Sequence, residues 1–302
     1  PMSSDGTRSG AERLTERAIE AALLVAALSS VGITLGIVGI LLYESAVFFR
    51  SVSLVDFLTD TQWTPLFADA HYGILPLLAG TVTTTGVALA VALPVGTMTA
   101  LYLSEYAGAR VRETVKPFLE LLTSVPTVIF GYFALLVVTP LLQHLWPDLP
   151  GFNMLSAGLV IGVMTVPYIT SVAEDALHAV PMYIREGSFA LGATRMQTAL
   201  QVVLPSAVSG IAAAYVLAVS RAIGETMVVA IAAGMQPTLT WNPLEPAATI
   251  TAYIVQVSLG DLPHGSIGYQ TIFAVGVTLF AFTMAMNVVA IRLVKRFRQV
   301  YS

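Results

Sequence analysis

The chain has 302 residues, 56% of them hydrophobic and 11% charged, with a formal net charge of -4 and no cysteine. This is too little charge to cover a soluble domain of that length, and the missing cysteines exclude disulfides, thiolate chemistry and cysteine metal sites. The apolar residues fall in six long runs, each reaching the ~20 residues that a helix needs to cross a bilayer core. They are too long and continuous for barrel strands, so the chain reads as an all-α membrane protein.

In chain order, residues 1–10 read as a disordered tail, in part a cloning scar, within an N-terminal segment covering 1–17. The run 18–47 is too long for a signal-peptide core and has no clear cleavage site, so it reads as a retained first span. Further spans are expected at 73–104, 113–145, 155–180, 204–234 and 267–293, which places a six-helix transmembrane domain over 18–298. Glycines four apart, Gly32/Gly36 and Gly158/Gly162, suit close helix contacts or are ordinary membrane-helix glycines.

The basic residues set the orientation. Of the 14 Lys and Arg, twelve fall on one side: Arg8, Arg13 and Arg17; Arg110, Arg112 and Lys116; Arg185 and Arg195; and Arg292, Lys295, Arg296 and Arg298. The opposite loops hold only Arg50, and Arg221 lies inside the fifth run. Both termini are therefore expected in the cytoplasm. The outward loops carry Asp56, Asp60, Asp69, Asp148, Glu245 and Asp261, and Trp63, Trp146 and Trp241 suit the membrane interface. The two long loops, 48–72 and 235–266, are either docking surfaces for an extracytoplasmic partner or simple connectors.

Catalytic signatures are missing. Neither lysine follows a glycine, so the phosphate-cradling Gly-Lys-Ser/Thr loop is absent and ATP use would need another polypeptide. His71, His144, His178 and His264 form no His-Glu-x-x-His pair, and no Gly-x-Ser-x-Gly elbow occurs. No catalytic residue, no metal ligand and no cofactor is assigned to this chain.

The loop 181–205 is too long for a tight turn and is helix-prone from Met182 to Leu191. Pro181 suits the start and Gly192 offers a break. Gly187 and Ser188 help to give it a low-bulk face, which fits either a groove in a cytoplasmic partner or a lipid surface. Here Glu186, Gly187, Ser188, Gly192, Val202, Leu204 and Pro205 resemble, at matching spacing, the EAA loop of ABC-importer permeases. Two alanines are replaced by Gly187 and Ser188, and an isoleucine by Val202. The resemblance implies that this loop docks on an ATPase, with Glu186 and Gly192 central to coupling and Gly187, Ser188, Leu204 and Pro205 completing the motif.

Arg221 lies sixteen residues beyond Pro205, ~24 Å along a helix axis. A mid-membrane arginine costs ~2.5–3.5 kcal/mol even on lenient insertion scales, so it should face protein or water. Glu225 at i+4 would share its face. The pair reads as an internal salt bridge or as part of a substrate path. The stretch Arg-Ala-Ile-Gly-Glu-Thr from 221 to 226 resembles the phosphate-specific (Pst) permeases. Residues 124–131 and 185–194 agree, and the opening loop FLTDTQWTPLF with YGILPLLAGT is most like the PstC subunit. The resemblance covers about 50–295.

That resemblance implies a type I ABC importer permease (MetI-like) fold in the plasma (inner) membrane. The function it implies is phosphate import, with ATP and Mg2+ held on partner subunits and with Arg221 and Glu225 on the anion path. The implied partners are a second, PstA-like permease, two PstB-like ATPase subunits, a PstS-like extracytoplasmic phosphate-binding protein and membrane lipid, with no nucleic acid. A similar permease for sulfate or molybdate and a secondary transporter remain as alternative readings.

Overall fold

A computed structural model describes residues 10–297; of the tail expected over 1–10, residues 1–9 lie outside the described residues, as do the last five residues of the chain, and Gly10 is helical. The chain is helical almost throughout. Among the described residues there is no strand, only the isolated bridges Trp63 to Tyr72 and Gly234 to Ala247. Among the described residues five helices are long and apolar enough to cross a membrane, six if one bent pair counts as a single span.

The first span, α1 (Gly10–Ser51), already begins at Gly10, so residues 10–17 extend the helix instead of forming a separate segment. A short α2 (Leu54–Thr59) follows, then the second span α3 (Leu75–Glu105). The third span differs from expectation. Residues 109–124 form a separate helix, α4 (Ala109–Ser124), with no buried residue. The chain then breaks at Val125, whose backbone is extended (φ -69, ψ 128). The cause is Pro126, whose ring disfavours helical backbone in the residue before it. The span proper covers Thr127–Leu145 as α5 (Thr127–Phe133), a π-helical turn (Ala134–Val138) and α6 (Thr139–Leu145).

The fourth span, α7 (Met154–His178), is the centre of the fold. Its Asn153 N-cap accepts a hydrogen bond from the Ser156 amide at 2.7 Å. It packs along α3 through two glycines. A Cβ on Gly158 would lie 2.6 Å from the Val87 Cβ, and one on Gly162 would lie 2.8 Å from the Ala88 carbonyl oxygen. The expected close contact at Gly158/Gly162 is thus present. At Gly32 and Gly36 a Cβ would meet nothing within 4 Å.

The fifth span is also more broken than the apolar run suggests. α8 (Met182–Ala190) and α9 (Arg195–Thr198) lead through a π-helical turn (Ala199–Val203) into α10 (Leu204–Ser206), and the axis bends by 70° before α11 (Val208–Ile223). Pro205 has no N–H for the helix ladder, which favours a break here. α11 ends at Gly224, and a separate α12 (Met227–Ala232) follows. Residues 233–249 are stitched to the start of α7 by backbone bonds such as Leu155 N–H to the Pro243 carbonyl at 2.7 Å. They lead into α13 (Ile250–Ser258) and the last span, α14 (Ile267–Phe297).

The two ends of the bundle are built differently. At the end where α3 begins, Phe48, Phe57, Trp63, Ile74 and Tyr253 form an apolar cluster. Trp63 is 1% exposed, with its ring 5.0 Å from that of Tyr253. It is a core residue and not the interfacial anchor expected from sequence, whereas Trp146 and Trp241 are exposed. At the other end, where α3 and α7 finish and α8 starts, charged side chains make the joints.

Candidate functional site

Two groups of predicted residues can now be placed. The first is at the α8 end. α8 covers most of the helix expected over 182–191, starting after Pro181. Glu186 and Gly187 are exposed, while Ser188 turns inward and shares a hydrogen bond of 2.8 Å with the Thr198 hydroxyl. The helix stops because Gly192 takes φ +83, a conformation that side chains disfavour, and a Cβ there would meet nothing within 4 Å. Around it Met182, Tyr183, Phe189, Leu191 and Met196 are exposed, Leu191 at 91%. Apolar side chains interspersed with Glu186 and Arg195 form a surface suited to a protein partner. Leu204 and Pro205 sit at the bend that joins this surface to α11.

The joint behind that surface has an ionic partner that sequence reasoning missed. Arg185 of α8 donates from Nη2 to Glu105 Oε1 at 2.9 Å and to the Leu177 carbonyl at 2.9 Å, and from Nη1 to the Val180 carbonyl. Nearby, Glu174 on α7, 1% exposed, pairs with Arg112 and with Lys116, the latter at 2.9 Å, and Lys116 also reaches Asp175 at 3.2 Å. These bonds fasten the exposed α4 to α7. The partners lie between 58 and 80 residues apart along the chain, a separation at which sequence carries no pairing signal.

The second group is Arg221 and Glu225. Arg221 occupies the last turn of α11, ~20 Å from its start at Val208. A cation is favourable there because the helix dipole is negative at its C-terminus. Its guanidinium lies over the Tyr168 ring at 4.7 Å from the centroid, a cation–π contact. Its Nε is buried without a hydrogen-bond partner, and no ion pair involves Arg221 among the described residues. Glu225 lies past the helix end, so the i, i+4 argument does not hold. Glu225 is 6% exposed; its carboxylate accepts from the Val228 amide at 3.4 Å, at the start of α12, while its backbone carbonyl accepts from Thr251 Oγ1 at 2.6 Å. The two residues stay close along the chain but form no salt bridge. Tyr168, which sequence reasoning passed over, also lines a cavity of about 190 Å3 between α4 and α7, with Lys116, Thr123 and Ser171.

Residues 92–299 match the family described as binding-protein-dependent transport system inner membrane component. The chain belongs to this family. It is 33% identical over 259 residues to a probable ABC transporter permease protein, YqgH, of Bacillus subtilis, covering 86% of this chain and 82% of the relative. It is 34% identical over 275 residues to the phosphate transport system permease protein PstC 1 of Mycobacterium tuberculosis, covering 80% and 81%. A PstC of Mesorhizobium japonicum is 30% identical over 280 residues. Among solved structures, the chain superposes on a bacterial ABC transporter for import of the acidic polysaccharide alginate with a TM-score of 0.65 at 19% identity, covering 95% of this chain and 100% of that one. It superposes on the MetNI methionine ABC transporter with a TM-score of 0.55 at 22% identity, over 75% and 95%. The chain is an ABC importer permease of MetI-like fold, related to the PstC permeases, and a multi-pass protein of the inner membrane.

Proposed function

We propose that this permease moves inorganic phosphate into the cytoplasm, in a complex whose ATPase subunits supply the energy. The observation that carries the reading is Arg221, a guanidinium deep in the bundle with no carboxylate bound to it. A phosphate ion brings at least one negative charge and strong acceptor oxygens, and crossing a low-dielectric region without a counter-charge is prohibitive. A guanidinium stays charged at any physiological pH and offers a planar fork of donors. With no ion pair to break, Arg221 can receive the anion directly, and Tyr168 holds the side chain in place from below. Glu225, at the break that follows, lies close to Arg221 along the chain and favours release by competing with the anion for the guanidinium. The names of the PstC relatives support phosphate over other solutes.

The basic residues at the α8 end, Arg110, Arg112, Lys116, Arg185 and Arg195, support placing that end in the cytoplasm. Glu186, Gly187, Ser188, Gly192, Leu204 and Pro205 then belong to the surface that docks an ATPase. The partners in this reading are a second, PstA-like permease, two PstB-like ATPase subunits that bind ATP and Mg2+, and a PstS-like phosphate-binding protein on the opposite side. The test is uptake of labelled phosphate by the reconstituted complex with ATP inside the vesicles and sulfate as competitor. ATP-dependent uptake that resists sulfate and is lost in Arg221→Gln supports the reading. Uptake suppressed by sulfate or molybdate would assign another oxyanion, and uptake that ignores ATP would assign a carrier driven by an ion gradient.

A further inference from the structure

Arg185 is built into the fold more firmly than a surface charge needs to be. It and Glu105 are 11% and 9% exposed, and together they join three helix ends. Glu105 is the last residue of α3. A carboxylate there faces the negative end of the helix dipole, an unfavourable place unless a cation compensates it. Arg185 does so from α8 with two contacts, Nη2 to Oε1 at 2.9 Å and Nε to Oε2 at 3.4 Å. The same guanidinium donates to the Leu177 carbonyl in the last turn of α7, which also accepts from the Val180 N–H at 3.3 Å, and to the carbonyl of Val180, two residues past the helix end. One side chain on the fourth residue of α8 therefore ties α8 to α3 and to α7, the pair already locked by Gly158 and Gly162. A lysine, a single point of charge, cannot make this fork of bonds.

We propose that Arg185 is a positioning residue that makes α8 and the adjoining ends of α3 and α7 one rigid unit, so that a push on α8 is delivered to both spans. The proposal rests on the function proposed above for its source of force, an ATPase seated on the exposed face of α8. Glu186 and Gly187 form the outer face that meets the partner, and Arg185 the inner face that transmits the movement. Without the clamp, α8 swivels on Pro181 and Gly192, and ATP hydrolysis continues while the spans lag.

The test uses the full reconstituted complex with Arg185→Ala, Arg185→Lys and Glu105→Gln, measuring ATP hydrolysed per phosphate imported. The chain has no cysteine, so spin labels at Tyr102→Cys on α3 and Ala190→Cys at the end of α8, both exposed sites, report the distance between the two helices. With the complex assembled, Arg185→Ala should raise the ATP-to-phosphate ratio about tenfold and Arg185→Lys about threefold, as expected when part of a charged hydrogen-bond set is lost. The spin-label distance distribution should broaden in the same order. An unchanged ratio in assembled Arg185→Lys and Glu105→Gln complexes, with an unchanged distribution, would overturn the proposal, including the case in which Arg185→Ala fails to assemble. If the unaltered complex imports no phosphate with ATP, the functional reading fails; the distance distributions then decide the clamp alone, broadening supporting it and constancy refuting it.

Discussion

Helices α7 and α1 both carry glycines four residues apart, and the fold uses them in opposite ways. On α7, Gly158 and Gly162 let the backbone lie against Val87 and Ala88 of α3, and most of the helix is buried. On α1, Gly32 and Gly36 face open space, and among the described side chains, from Glu16 onward, none before Ser45 is buried. It touches the rest of the chain mainly along α14, where Leu41 lies 3.0 Å from the position a Cβ on Gly276 would take. Between helices in lipid, burial of apolar surface gives no drive, and close packing must supply it. The same spacing thus marks an interface only where another helix of matching shape is present.

The largest effect expected from this difference is at Gly162. A side chain there must displace the Ala88 carbonyl, a backbone atom of a neighbouring span. Gly162→Leu should destabilise the chain by about 3 kcal/mol or more, read as loss of monodisperse protein in detergent and a lowered thermal midpoint. An unchanged midpoint would mean that α3 and α7 are not packed in this way.

The anchor of α1 should come next. Its last turns insert Phe48, fully buried, against the rings of Phe49, Phe57 and Tyr72 at centroid distances of 5.2, 6.0 and 5.6 Å. Phe48→Ala removes that insertion and should cost about 3 kcal/mol. Cleavage of α1 by an added protease should rise in step with a lowered midpoint. If α1 stays protected, the α14 contact alone holds it.

A smaller effect concerns the segment that closes over this anchor. His71 Nδ1 lies 2.8 Å from Asp60 Oδ2, with Asp69 at 3.6 Å from Nε2. The Asp60 hydrogen bond raises the His71 pKa above 6.5, and the same bond lowers that of Asp60 below 3.8. A raised histidine contributes stability that is whole below its unfolded value and is lost as pH rises through the folded value. A lowered carboxylate contributes above its unfolded value and loses that contribution as pH falls through the folded one. The latch is therefore complete between 3.8 and 6.5 and loosens above that window. Both side chains are partly exposed, so the effect is small. With Trp146 and Trp241 replaced by Phe, quenching of Trp63 fluorescence by acrylamide should increase as pH rises above the window. His71→Gln should flatten that profile, and an unaltered profile in this variant would remove His71 from the latch.

What was legible in the sequence follows the same division. Hydropathy located all six apolar runs, since that property belongs to each segment alone. The helix within the 181–205 loop was legible because Pro181 and Gly192 act on their own backbone. The breaks at Pro126 and Gly224 were not, although Pro126 carried a local signal that the apolar run around it masked. The pairing of Arg221 with Glu225 assumed an unbroken helix, and the helix ends between them. Trp63 was misplaced because an interfacial and a buried tryptophan look alike until Phe57 and Tyr253 are brought against it. Arg185 to Glu105 and Lys116 to Glu174 bring distant residues together, and only the packing of α3, α4, α7 and α8 reveals them.

The smallest effect should be at Gly36, and its smallness is the sharpest test of the comparison. A leucine there meets no atom of this chain within 4 Å of its Cβ. It also replaces the residue with the poorest helix propensity after proline by one of the best. Steric cost is absent and propensity is favourable, so Gly36→Leu should shift the stability of the purified chain by no more than about 0.5 kcal/mol. The same substitution at Gly158 or Gly162, equal in chemistry and in helix position, should be severalfold worse. The measurement is the thermal midpoint of each variant in one detergent, with Gly32→Leu as a repeat of the α1 case. A loss at Gly36 equal to that at Gly162 would mean that α1 packs inside this chain's own bundle. Equal harmlessness at both would mean that the close approach of α3 and α7 is not what holds the fold.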